Sequence, residues 1–181
     1  MLLYFLKDNA NFVGISVKEI DLKNRTENIK EARAKYDSYD PNKWEKSCFD
    51  NNTGGYLITE KARIEQSQKS DNETKKFDKE QKMCKVLVNN GYAVEHLDDN
   101  HGASYDIHLN GIKADLKKTA GSGNIEKYAK KAIRKQGANL VVFEFEHNMK
   151  DIHTKLLKLR KNYDIHGYYY FSNNKIKIYG F

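Results

Sequence analysis

From residue 71 onward, the hydrophobic and polar positions fall into a regular succession of helical and strand periods. Phe77, Met83, Cys84, Leu87 and Val88 give an apolar side to a helix that Ser70 or Asp71 can cap and Asn90-Gly91 ends. Tyr92 to Leu97 alternates like a strand, and Asp98 to Gly102 reads as a loop. Tyr105 to Leu109 and Ile112 to Lys117 are two further strands. Asn110-Gly111 between them is the strongest short hairpin signal. After the flexible Gly121-Ser122-Gly123, a helix is expected from Ile125 to Gln136, capped by Asn124 and stopped at Gly137. Leu140 to Phe145 reads as a largely buried strand and Met149 to Asn162 as an amphipathic helix. A hairpin of Tyr168 to Phe171 and Lys175 to Tyr179, turning at Asn173-Asn174, closes the chain. The order is helix, three strands, helix, strand, helix, hairpin. It predicts an α/β (α+β) fold with a mixed central sheet flanked by helices.

Before residue 70 the pattern is weaker. Leu2 to Phe5 is a candidate short strand and Lys23 to Tyr36 a polar helix. Asp40-Pro41 breaks the chain. Trp44, Phe49 and Tyr56 bracket a turn-rich stretch, and Tyr56 to Thr59 is a candidate strand. Gln66 to Lys75 is polar enough to read as a linker. The expected organisation is therefore an accessory segment over 1–70 and a functional domain over 71–181. Trp44 and Phe49 are expected to pack the accessory segment.

Composition narrows the function classes. The chain has 181 residues with a formal net charge of +7, which suits a polyanionic partner. No stretch approaches the roughly 18 apolar residues of a membrane span, so no membrane partner is expected. The apolar opening Met1 to Leu6 meets Lys7 and Asp8 at once, and no signal peptide is expected. Cys48 and Cys84 form neither a disulfide framework nor a zinc quartet. The six histidines show no metal-ligand spacing. His108 is expected to face away from Asp115.

The chemistry converges on the Asn110-Gly111 hairpin. A two-residue turn sets Leu109 opposite Ile112, His108 opposite Lys113, Ile107 opposite Ala114 and Asp106 opposite Asp115. The two carboxylates then lie side by side, and Lys117 shares the face of Asp115. Like charges directly opposite each other are destabilising. A divalent cation offsets them, and oxygen-only ligands suit Mg2+ or Mn2+. Such a cation can polarise a phosphoryl oxygen and generate hydroxide. Lys117 can hold water or screen the developing charge. The following helix carries Lys127, Lys130, Lys131, Arg134 and Lys135 at three- to four-residue spacing, a stripe suited to phosphates. Lys118 and Thr119 continue the strand beyond Lys117 and are candidates for touching substrate. Gln136, at the end of the basic helix, falls near the same face.

Asp106, followed across a hairpin by Asp115-x-Lys117, resembles the PD-(D/E)xK nuclease superfamily. The subgroup it resembles most is the tRNA-cleaving toxin domains of contact-dependent growth inhibition and related phage- or mobile-element-borne nuclease domains. The similarity covers about the last 110 residues. It is carried by Tyr105-Asp106-Ile107, Ala114-Asp115-Leu116-Lys117 and Lys135-Gln136-Gly137-Ala138. Tyr105 stands where the naming motif has proline. The resemblance implies a restriction-endonuclease-like αβββαβ core and a cation held by Asp106 and Asp115. It also implies an acid from the first helix, for which Glu80 is the candidate, with Glu73 and Glu95 behind it. Gln136 matches the polar residue that similar nucleases carry on their second helix, and is expected to orient the site. The implied activity is hydrolysis of nucleic acid, with RNA, tRNA in particular, ahead of DNA. A cytoplasmic site of action and a cognate immunity protein follow if the chain is a toxin. A DNA endonuclease, a nucleic-acid-binding protein of the same fold that does not cut, and a protein-interaction domain are the alternatives.

Overall fold

The computed structural model describes residues 25–98, 104–172 and 176–181. Helix α1 (Arg25–Ser38) leads into β1 (Trp44–Phe49), β2 (Tyr56–Glu60) and a short α2 (Lys61–Ser67). Then come α3 (Asp71–Asn89), β3 (Ala93–His96), β4 (Ile107–Leu109) and β5 (Ile112–Thr119). The chain ends with α4 (Ile125–Gln136), β6 (Leu140–Phe145), α5 (Lys150–Tyr163), β7 (Gly167–Phe171) and β8 (Tyr179–Gly180). From α3 to β6 this is the expected helix, three strands, helix, strand. The candidate strand at Leu2 to Phe5 and the Asn173-Asn174 turn lie outside the described residues.

The eight strands of the described residues form one mixed sheet in sequence order. The β3–β4–β5 meander is antiparallel, while β2–β3 and β5–β6–β7 pair in parallel. Helix α3 covers one face, where Met83, Cys84, Leu87 and Val88 pack on Leu57, Val94, Ile107, Leu109, Leu116 and Val142. Helices α4 and α5 cover the other through Ala129, Ala132, Ile152 and Leu156 against Val141, Phe143 and Phe145. Alternation along each strand supplies both sets.

Local chemistry sets the ends of the elements. The Ser70 hydroxyl accepts the Glu73 N–H at 3.3 Å, capping α3. Asn110 and Gly111 both take positive φ, at 50° and 82°, as a two-residue hairpin turn of this twist requires. Asn124 caps α4 without a side-chain hydrogen bond. Tyr169 and Phe171 face one side of β7 and Tyr168 and Tyr170 the other, but the adjacent Tyr169 and Tyr170 are both buried, because both faces of the sheet are covered here.

Three expectations need correction. Residues 44–49 form a strand rather than the rim of a turn-rich stretch, because edge strand β1 pairs antiparallel with β2. The polar stretch 66–75 is helical on both sides of a brief break rather than a linker. The division at residue 70 falls inside one sheet, because β2 pairs with β3 across it. Trp44 and Phe49 do pack with Tyr36, Tyr56 and Ile58 under α1. Among the described residues no helix is long and apolar enough to cross a membrane. Cys48 and Cys84 are free thiols.

Candidate active site

The hairpin register is the one the turn dictates: Leu109 pairs with Ile112, His108 with Lys113 and Ile107 with Ala114. There the ladder ends, one pair short of Asp106 and Asp115. Strand β4 begins at Ile107, but β5 runs on to Thr119 with β6 as its remaining neighbour. The sheet forks between them. Asp106 sits at the fork, and its Oδ2 accepts the Leu116 N–H at 2.7 Å. A carboxylate thus takes the place of the carbonyl that a continuing strand would have offered.

Asp115 is fully buried and Asp106 nearly so. Asp115 Oδ1 accepts from Gln136 Nε2 at 3.2 Å, and the same amide donates to the Ser104 carbonyl at 2.9 Å. The Lys117 ammonium is ion-paired with Asp115 Oδ2. That Oδ2 is sealed from solvent with the ammonium as its partner, and Gln136 Oε1 is sealed without a hydrogen-bond partner among the described residues. Burial pushes the Asp106 carboxyl well above the usual range. The Asp115 and Glu80 charges and a carboxyl–carboxyl hydrogen bond to Asp115 add to this, and Lys117 opposes it.

Glu80, on α3, is held by other partners. Its Oε2 accepts from Arg63 Nη2 at 2.9 Å and lies 3.0 Å from His96 Nε2. Burial alone would raise its carboxyl, but the His96 and Arg63 interactions outweigh it and hold it below the usual range. Gln81 continues the network, touching His96 Nδ1 at 2.9 Å and Thr59 Oγ1 at 3.0 Å. Cys84 lies in the field of Glu80 and Asp106, and burial raises its thiol first of all. A thiol kept protonated is no nucleophile.

Among the described residues no three His, Cys, Asp or Glu side chains are grouped to hold one ion. The expected set of Asp106, Asp115 and Glu80 therefore reduces to the Asp106–Asp115 pair. The reason is that Glu80 is engaged by Arg63 and His96. The pair still fits a hard cation: both are oxygen donors, and Asp106 has no ion pair among the described residues, whereas Asp115 Oδ2 already meets the Lys117 ammonium. Neither reserve acid joins them. Glu73 lies 3.8 Å from Arg63 Nη1, and Glu95 bonds Tyr39 and His108.

The basic residues divide. Lys127, Lys131, Arg134 and Lys135 are exposed along α4, whose C-terminal end carries Gln136. Lys130 bonds Glu126 at 2.6 Å and lies over the Tyr163 ring. Lys118 alternates to the α3 face of the sheet and bonds Glu144, away from Asp115. The Thr119 hydroxyl donates to the Gly121 carbonyl at 3.0 Å. His108 shares the face of Asp115 rather than opposing it, because it pairs with Lys113, two residues before Asp115. It bonds Glu95 and Tyr105 rather than the carboxylate pair.

Arg63, His96 and Gln81 escaped the sequence reading. His96 carried a signal, since alternation in β3 puts it on the apolar face with Val94. Arg63 carried none, standing 17 residues from its partner in an unpatterned stretch.

No protein-family model matches the chain, and no curated protein matches its sequence. Among solved structures it is similar to the CdiA-CT/CdiI toxin and immunity complex from Burkholderia pseudomallei. The TM-score is 0.47 and the identity 18%, over 61% of this chain and 89% of that one.

Proposed function

We propose that this chain is a metal-dependent endonuclease that hydrolyses phosphodiester bonds, with Asp106 and Asp115 holding Mg2+ or Mn2+. The observation that carries this reading is the charge balance at the fork. Two buried carboxyls adjoin, Lys117 pairs with one, and among the described residues the other has no ion pair. A buried carboxylate in that position must either take a proton or gain a cation.

When bound, the cation would supply Lewis-acid polarisation of the phosphoryl oxygen and a more acidic water. The chain's own residues do the rest. Gln136 fixes the Asp115 rotamer by tying Oδ1 to the Ser104 carbonyl. Lys117 places its ammonium at Asp115, where it can hold the attacking water and offset charge on the leaving oxygen. Lys127, Lys131, Arg134 and Lys135 offer phosphate contacts leading to that site. The sequence resemblance puts RNA, tRNA in particular, ahead of DNA. On the same ground we read the chain as a toxin domain acting in the cytoplasm and countered by an immunity protein.

The test is cleavage of labelled tRNA and of single- and double-stranded DNA with Mg2+, Mn2+ or chelator. Metal-dependent products lost in Asp115→Asn support the reading, and the substrate cut fixes its class. Salt-sensitive binding without products from any substrate makes the chain a nucleic-acid-binding protein instead.

A further inference from the structure

We infer that Arg63, from the short helix before residue 70, is a positioning residue of the carboxylate site, acting through Glu80. The inference rests on the nuclease reading and extends it to a part of the chain that the motif does not cover.

Arg63 is 1% exposed, an unusual place for a guanidinium. Its Nη2 meets Glu80 Oε2 at 2.9 Å, Nη1 approaches Glu73 at 3.8 Å, and the guanidinium lies 5.3 Å from the Phe77 ring centre. Phe77 in turn stacks on His96, with ring centres 5.4 Å apart and planes at 18°. His96 reaches the same Glu80 oxygen as Arg63. Two donors from different elements, locked by one aromatic ring, thus converge on a single carboxylate oxygen. Burying a pair of opposite charges is weak evidence for a stabilising purpose, because apolar residues of similar volume do as well or better. What sets this pair apart is its place: Glu80 lies one turn of α3 before Cys84, which shares a buried cluster with Ile107, the residue after Asp106, so the clamp holds Glu80 beside the strand that carries the site. Arg63 and His96 fix that side chain. In metal sites such outer partners typically govern affinity or activity by about 10- to 100-fold.

The experiment uses the full chain with Arg63→Met, Arg63→Lys, Glu80→Gln and the double variant Arg63→Met/Glu80→Gln. It reads Tm, Mn2+ affinity by titration calorimetry, and kcat and KM for cleavage. In Arg63→Met, Mn2+ affinity and kcat each fall by about 10- to 100-fold while KM stays. Arg63→Lys recovers part of both. The double variant regains Tm, because no charge is left buried alone, but regains neither affinity nor kcat. Recovery of both in the double variant would make Arg63–Glu80 a packing pair and overturn the inference. So would a folded Arg63→Met with wild-type values. If Asp115→Asn loses Mn2+ and cleavage while Arg63→Met keeps them, only the positioning role fails. If the wild type neither binds Mn2+ nor cleaves, the nuclease reading fails and takes this inference with it.

Discussion

Asp106 Oδ2 accepts the backbone N–H of Leu116 at 2.7 Å, the group that β4 leaves unpaired where it parts from β5. One side chain thus satisfies a buried donor, holds the fork open and stands beside the Asp115 carboxyl. An unsatisfied buried N–H would otherwise cost on the order of 1–3 kcal/mol. The geometry that suits a cation also repairs the broken ladder.

Asp115→Asn is expected to abolish metal-dependent cleavage while leaving nucleic-acid binding intact. Lys117→Met is expected to lower kcat by about 10²- to 10³-fold, the typical loss for removing one charge-stabilising donor. Single-turnover cleavage beside filter binding checks both. Equal loss of binding in either variant would make the pair a structural feature.

The raised Asp106 carboxyl predicts a pH dependence with a definite sign. Its folded value lies above the unfolded one of about 3.9. Between those two values the folded state binds more protons than the unfolded state, so stability falls as pH rises through that window. Asp106→Asn keeps an acceptor for Leu116 and should flatten the slope. Urea unfolding in chelator at pH values from 4 upward measures it. A wild-type curve parallel to that of the variant would refute the raised carboxyl.

The exposed part of the basic helix should set the salt dependence of binding. Replacing Lys127, Lys131, Arg134 and Lys135 together by Ala should make the slope of log K against log salt shallower by about 3 for a single strand. Lys118→Ala and Lys130→Ala should change it little, since Glu144 and Glu126 already engage those ammoniums. The contrast between the two sets is the readout.

Residues before 71 should prove inseparable from the rest. A Cβ on Gly55 would meet the Val88 carbonyl oxygen of α3 at 2.0 Å. Gly55→Ala is therefore expected to cost about 3 kcal/mol, the upper range for overpacking. A fragment of residues 71–181 is expected not to fold cooperatively, because it lacks β2, the neighbour of β3, and Arg63. Thermal unfolding of both proteins tests this. A fragment with a sharp transition would restore the boundary at residue 70.

The sequence by itself determined the hairpin and what hangs on it. A two-residue Asn110-Gly111 turn admits one register, and that register brings Asp106, Asp115 and Lys117 together. Local periodicity likewise determined α3 and α4, whose apolar side chains recur at the 3.6-residue repeat, and an unbroken apolar run determined the buried strand β6. Tertiary structure alone decided the fork, since ladder termination depends on the neighbouring strand. It decided that β1 and β2 join the sheet, because edge pairing is a long-range choice. It decided that Lys118 meets Glu144, because those residues lie 26 positions apart in neighbouring strands, whereas Lys130–Glu126 is a local i,i+4 pair. Above all it decided the Arg63–Glu80–His96 clamp, whose members lie in three elements. No local period links them, and only packing of α2 and α3 against β3 brings them within hydrogen-bond reach.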